Sequence, residues 1–120
     1  MKKVMWLVAA MSFVACGPPS PTAQCKEQST LECKRSYECF TIDERKSPAF
    51  IAVAGSSEGE CVSKLNANNC VFAETNPCND SSKKWDANKA SACIEDYRKA
   101  SCETVRLGTF SSNNCATVCG

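Results

Sequence analysis

The sequence predicts a small, mainly α-helical domain: a disulfide-rich bundle of three helices with a short C-terminal helical turn. Eleven cysteines lie between Cys16 and Cys119, a share typical of disulfide scaffolds. Three cysteine-bearing segments are rich in residues that favour helices. The chain also begins with a pattern typical of export, and exported compartments permit disulfide bonds.

Residues 1–15 are predicted to form a secretory signal peptide. Lys2 and Lys3 supply a short positive region, and an uncharged, mostly apolar run from Val4 to Val14 follows. A membrane-spanning helix needs about 20 apolar residues. The glycine and two prolines at 17–19 end this run too early for one.

The four residues from Phe13 to Cys16, FVAC, resemble a bacterial lipobox, although leucine is usual where Phe13 stands. The resemblance implies that the Cys16 sulfur receives a diacylglycerol and that signal peptidase cuts before it. The expected partner is therefore a membrane, bound through an N-terminal lipid. The next residue is Gly17, whereas an aspartate at this position would favour retention in the inner membrane. We therefore expect the protein at the outer membrane, on either its periplasmic or its cell-surface side. The alternative is an ordinary signal peptide, with Cys16 in a disulfide bond.

The other cysteines are even in number, as a disulfide framework in an exported chain requires. The residues predicted to form disulfide bonds are Cys25, Cys33, Cys39, Cys61, Cys70, Cys78, Cys93, Cys102, Cys115 and Cys119.

Residues 16–24 are predicted to hold the anchor cysteine and an extended, proline-rich linker, and residues 25–120 the folded domain. The first helix is expected from Gln24 to Phe40. At 100° per residue, its three cysteines fall within an arc of about 120° and so share one face.

The second helix is predicted to begin near Ser57, which is spaced from Glu60 as in a capping box. Cys61, Val62 and Leu65 would then form its buried stripe. The asparagines at 66, 68 and 69 favour a break before the next cysteine.

The third helix carries the clearest periodicity, with apolar residues at 90, 93, 94 and 97. Asp80 or Ser82 is the expected cap, and Gly108 suits a chain reversal beyond the helix end. Residues 111–120 are expected to add one or two helical turns.

Six apolar residues from Ala49 to Ala54 are interpreted as a hydrophobic plug beneath the helices. Their length fits a short strand or a buried extended segment, although a buried helical turn has the same signature. An exposed ligand-binding patch is the alternative.

Cysteines close in sequence are poor partners for each other. Nine residues of helix rise about 13.5 Å, whereas the two Cα atoms of a disulfide bond lie within about 7 Å. Cys93 therefore cannot bond Cys102 if the third helix is continuous. The bonds are expected to join one element to another.

The spacing of these cysteines resembles that of cysteine-rich lipoproteins that recur in myxobacteria, over residues 33–119. The stretches that carry the resemblance are SSEGECVSKLNANNC, SACIEDYRKASCETV and the closing NNCATVC. That family has no assigned activity, so the resemblance implies an architecture rather than a mechanism.

The sequence lacks the residues that several kinds of catalysis and metal binding require. The chain has no histidine, which excludes serine–histidine and cysteine–histidine catalysis and imidazole metal ligands. Ser81 and Lys84 match the short pattern of serine–lysine hydrolases, for which a solvated helix start is the plainer interpretation. Trp85 and Tyr97 could contact a sugar or a partner if exposed, but core packing is expected.

We therefore expect a non-catalytic protein of the cell envelope that acts as a structural or binding module. No catalytic residue, metal or cofactor is predicted, and a net charge of +1 suggests no nucleic-acid partner. The sequence does not identify the protein or small molecule that would be its partner. The alternatives are a small-ligand carrier that uses residues 49–54, a serine–lysine hydrolase, and a small inhibitor or toxin.

Overall fold

The structure, a computed structural model, describes residues 19–120, so Cys16 and the predicted signal peptide lie outside the described residues. The mainly helical, disulfide-rich class is confirmed, and within residues 19–120 no β-strand forms. The six α-helices are α1 (Pro21–Cys39), α2 (Pro48–Ala54), α3 (Glu58–Asn69), α4 (Ala87–Arg98), α5 (Cys102–Leu107) and α6 (Asn113–Ala116), and a 3₁₀ turn spans Glu44–Lys46.

Helix α1 begins at Pro21, three residues before its predicted start. The Ser20 side chain accepts a hydrogen bond from the Ala23 amide at 3.1 Å, and Pro21 occupies the first helical position. Proline suits that position because its φ is already helical and its missing N–H would have no partner there. The prediction of an extended linker is therefore wrong for residues 21–24.

The three cysteines on one face of α1 connect it to three other parts of the chain. Cys25 bonds Cys70 at the end of α3, Cys33 bonds Cys61 within α3, and Cys39 bonds Cys102 at the start of α5. The predicted common face is the reason that one helix can bind both α3 and α5.

The interpretation of residues 49–54 as a buried plug is wrong, because they form the exposed helix α2. Ser47 caps this helix, and Pro48 begins it. Ala54 is buried and Phe50 is half-buried, whereas Val53 is 72% exposed and Ile51 37%. A helix of two turns covers only one of its faces when it packs against a neighbour, and the i, i+4 spacing puts residues 50 and 54 on that face.

A small hydrophobic core lies between α1, α2 and α3. The Cys33–Cys61 disulfide and Ala54 form its buried centre, and four partly buried side chains surround it: Tyr37, Phe50, Val62 and Leu65. The ring of Phe50 packs edge-on to Tyr37, with centroids 5.4 Å apart. The predicted inward stripe of α3 thus faces this core.

Helix α3 has the predicted start and end. The Ser57 side chain accepts a hydrogen bond from the Glu60 amide at 3.1 Å, and the helix ends at Asn69, with Cys70 as its C-cap. The Glu60 carboxylate accepts from the Ser56 amide at 3.2 Å rather than from Ser57, so the reciprocal bond of the capping box is displaced by one residue.

The segment predicted as the third helix contains two helices. Asp86 caps α4 by accepting a hydrogen bond from the Lys89 amide at 3.0 Å, so the expected caps at 80 and 82 are wrong. The Asp80 carboxylate instead accepts two bonds from Ser82 inside its own turn. Ser101 then caps α5, and Gly108, with a φ of 65°, ends it.

The C-terminal segment packs on α4 and includes the predicted helical turn, α6. Cys93 of α4 bonds Cys115 of α6, and Cys119 bonds Cys78 in the loop between α3 and α4. The Asp96 carboxylate accepts hydrogen bonds from Ser112 at 2.6 Å and Asn114 at 3.0 Å. All ten cysteines from Cys25 onward are paired, and every pair joins separate elements.

Residues 19–120 include no helix that combines the length and the apolar character needed to cross a bilayer.

We expect the buried Cys33–Cys61 bond to stabilise the fold more than the more exposed Cys78–Cys119 bond. Replacing both cysteines of the first pair by alanine should lower the free energy of unfolding by about 3–5 kcal/mol, against about 2–3 kcal/mol for the second pair. Loop entropy alone gives the opposite order, because the sequence separations are 28 and 41 residues. Urea unfolding of both double variants distinguishes the two cases, and a larger loss for the second pair would contradict the expectation.

Asp96 should contribute stability that disappears in acid. Hydrogen bonds from Ser112 and Asn114 hold the pKa of the Asp96 carboxyl below its ordinary value of 3.8. Its contribution is therefore complete above that value and is lost as the pH falls through the lowered pKa. Asp96→Asn should lower the urea midpoint at pH 7, with the difference from wild type shrinking below about pH 3. The control is Asp43→Asn, at an exposed aspartate whose side chain caps nothing, and an equal loss in both variants at pH 7 would refute the assignment.

Candidate functional site

A cleft of about 530 Å³ opens where α1, α4 and the loop between α3 and α4 meet. Its volume lies within the usual range of small-ligand sites, about 300–1,000 Å³. Pro21 and Gln24 of α1 form one wall, Ala90 and Ile94 of α4 another, and Phe72 belongs to the loop wall. We call this space the α1–α4 cleft.

Disulfide bonds hold all the walls of the α1–α4 cleft. Cys25 lines the cleft and ties α1 to Cys70, where the loop begins. Cys93 and Cys115 also line it and are bonded to each other. These bonds restrict how far the walls of the cleft can move.

Hydrogen bonds add to these restraints at both edges of the loop. The Thr22 hydroxyl donates to the Glu74 carboxylate at 2.7 Å, which holds the loop against the start of α1. The backbones of Lys84 and Gly120 exchange two hydrogen bonds, and Trp85 forms an antiparallel bridge with Cys119. The loop therefore has fixed ends although it contains no helix or strand.

Gln24 is a buried polar residue in the wall, only 3% exposed. Its side-chain nitrogen donates to the Ala87 carbonyl at 3.0 Å and to the Ser91 hydroxyl at 2.6 Å. Because a carbonyl only accepts, the nitrogen must face Ala87. The Gln24 Oε1 atom is left buried without a partner within residues 19–120.

The lining carries no charged side chain, although 22% of the residues in the chain are charged. It combines two aromatic residues, Phe72 and Trp85, with small apolar residues and six amide side chains. Phe72 is 69% exposed, which is unusual for a phenylalanine. The amides are Gln24, Gln28, Asn68, Asn69, Asn76 and Asn79.

The aromatic residues of the predicted third helix separate in the structure. Trp85 lies before Asp86, the cap of α4, so the expectation that the third helix begins near residue 80 and includes Trp85 is wrong. Its half-buried side chain forms part of the cleft wall. Tyr97 packs edge-on against Phe110, with centroids 5.0 Å apart, and burial raises the pKa of its phenol. Only Trp85 therefore belongs to the candidate site.

Ser81 and Lys84 are both exposed, and within residues 19–120 no hydrogen bond joins them. Neither residue starts a helix, because Ser81 lies in a turn and Lys84 precedes the start of α4 by three residues. A serine nucleophile needs its base within hydrogen-bond reach. A second hollow beside the cleft, of about 640 Å³, includes Ser81 in its lining, but Lys84 is not part of it.

Residues 49–54 line neither the α1–α4 cleft nor that second hollow. The cysteine sulfurs from Cys25 onward are in disulfide bonds and cannot act as thiolate ligands. Among the described residues, no group of three or more cysteine, aspartate or glutamate side chains is arranged to hold a metal ion.

Sequence reasoning missed most of the cleft. A phenylalanine just after a helix is normally part of a core, so nothing in the sequence marked Phe72 as exposed. The sequence indicates only a helix end at Asn68 and Asn69, and α3 does end there. The density of amides between residues 66 and 79 was the one available signal.

Comparison with protein-family models, curated proteins and solved structures finds no match to this chain. The resemblance to myxobacterial lipoproteins therefore stays a prediction.

Gln24 should be sensitive to a change that its neighbour on the same helix tolerates. Gln24→Glu removes the donor to the Ala87 carbonyl and buries a charge, so we expect a loss of about 2–3 kcal/mol in the free energy of unfolding at pH 7. Gln28 is exposed and bonds only Glu32 with its side chain, so Gln28→Glu should cost less than about 1 kcal/mol. Urea unfolding of both variants measures the difference, and similar losses would show that the Gln24 contacts are unimportant.

Proposed function

We propose that this chain is an exported, lipid-anchored protein of the bacterial cell envelope that acts as a non-catalytic binding module through the α1–α4 cleft. The sequence supports export and an anchor at Cys16. The fold supports a rigid module with a ligand-sized cleft.

One observation carries the anchor proposal: the ten cysteines from Cys25 to Cys119 close into five disulfide bonds among themselves. A disulfide bond from Cys16 to any of them would break one of these pairs. Lipidation gives Cys16 a role that leaves all five bonds intact.

The position of Pro21 supports a cleft close to the membrane. Residues 17–20 separate the anchor cysteine from α1, and at about 3.5 Å per residue they reach less than about 20 Å. Pro21 and Gln24 line the cleft at that end of α1. Helix α2 contacts the other end through Tyr37 and Phe50, roughly 25 Å further along the helix.

The cleft also favours binding over catalysis. Its lining has amide, aromatic and aliphatic side chains but no acid, base or nucleophile. Its disulfide-bonded walls lower the ordering cost that a ligand would otherwise meet.

Intact mass spectrometry of the exported protein, with and without reduction, tests the anchor. We expect a chain that begins at Cys16 and carries diacylglycerol, and a gain of ten hydrogens on reduction of its five bonds. A retained signal peptide, or Cys16 bonded to another cysteine, would overturn the proposal.

Fractionation of two variants gives an independent measurement. Cys16→Ser removes the sulfur that the lipid would occupy, so the protein should leave the membrane fraction. Gly17→Ser changes the next residue and keeps the sulfur, so the protein should stay with the membrane. Equal membrane retention of both variants would contradict a lipid on Cys16.

A further inference from the structure

We propose that the α1–α4 cleft binds a neutral carbohydrate chain, built from hexose or N-acetylhexosamine units. This inference rests on the proposed binding function and names its ligand class. It depends on three features of the cleft lining: the absence of charged side chains, the amide side chains and the aromatic residues.

The absence of charge in the lining decides against anionic ligands. Phosphate and carboxylate groups are normally held by arginine, lysine or a cluster of backbone amides. No arginine or lysine lines the cleft, so a nucleotide or an acidic sugar would lose its hydration without gaining an opposite charge. A neutral ligand has no such cost.

The amides of the cleft match the chemistry of sugar hydroxyls. A hydroxyl both donates and accepts hydrogen bonds, and a side-chain amide offers two donors and an accepting oxygen. Within residues 19–120, four of the six amide side chains make no hydrogen bond to the protein: Asn68, Asn69, Asn76 and Asn79. Their bonding capacity is therefore available to a ligand.

Gln24 adds an acceptor deeper in the wall. Both hydrogens of its amide nitrogen are used by Ala87 and Ser91, and its Oε1 atom has no partner among the described residues. An unpaired buried acceptor costs free energy that a donor removes. Gln24 lines the cleft, so a sugar hydroxyl that reached its Oε1 atom would be such a donor.

Phe72 and Trp85 supply the apolar half of the interaction. One face of a pyranose ring presents C–H groups, which pack on the flat face of an aromatic ring. Phe72 is 69% exposed, so a large part of its ring is free to be covered. Aromatic surface next to amides, without charge, suits a ring that has one apolar face and a polar rim.

A peptide is the main competing ligand, and the fold gives it little support. Extended peptides commonly add a strand to an open sheet edge. Between residues 19 and 120 the only β-pairing is the isolated bridge from Trp85 to Cys119. Peptide binding is therefore an outcome of the test rather than the expectation.

The test uses the exported protein in detergent and begins with an array of short oligosaccharides, both neutral and acidic, together with peptides. Binding to neutral hexose or N-acetylhexosamine chains is expected. Binding to acidic glycans alone, to peptides alone, or to nothing on the array would overturn the inference.

Tryptophan fluorescence then locates the bound oligosaccharide. Trp85 is the only tryptophan from Cys16 onward, so the emission of the processed chain reports on the cleft alone. Titration should change that emission and give an affinity. An array-positive sugar that leaves the emission unchanged would place its binding elsewhere and refute the cleft as the site.

Matched variants identify the cleft contacts. Phe72→Ala should weaken binding about tenfold, whereas Val71→Ala, at a neighbour 64% exposed and outside the lining, should leave it within about twofold. Asn76→Ala provides a second cleft variant in the exposed loop and should also weaken binding. Equal affinity in all three variants would overturn the inference.

The two proposals fail separately in these experiments. If Cys16 carries a lipid and the cleft binds peptides, the anchored binding module is supported and the carbohydrate ligand is refuted. If the chain binds neutral sugars but carries no lipid, the carbohydrate ligand is supported and the lipid anchor is refuted.

Discussion

Three disulfide bonds from one face of α1 are the constraint on which the rest of the fold depends. Helix α1 has few buried apolar side chains of its own, and the hydrophobic core that it shares with α2 and α3 is centred on the Cys33–Cys61 bond. Cys25 and Cys39 extend the same face to the end of α3 and the start of α5. Covalent links thus supply much of the stability that a larger core gives to other domains of this length.

The α1–α4 cleft is a consequence of the same arrangement. Helices α2 and α3 pack along α1 around the hydrophobic core, while α4 and α6 are held to each other by Cys93–Cys115 and by Asp96. The loop between the two groups is fixed by disulfide bonds at its start and its middle, so it cannot collapse into the gap. Short amide and aromatic side chains line the space that remains.

These features give the proposed function a physical basis. A site without charged groups has no long-range attraction for its ligand, so contact area and hydrogen bonds must supply the affinity. A rigid cleft suits that task, because little freedom is lost on binding. With the proposed lipid on Cys16, a cleft at the start of α1 would lie close to the membrane surface.

The sequence by itself determined the helical class, the even cysteine set and the capping of α3, because these depend on composition and on neighbours a few residues apart. It also argued against bonds among the three cysteines of α1, since helical rise separates them. The exposure of α2, the place of Trp85 and the cleft itself were decided only by tertiary structure. Helix crossings and disulfide pairing set those features, and hundreds of pairings are compatible with the same local pattern.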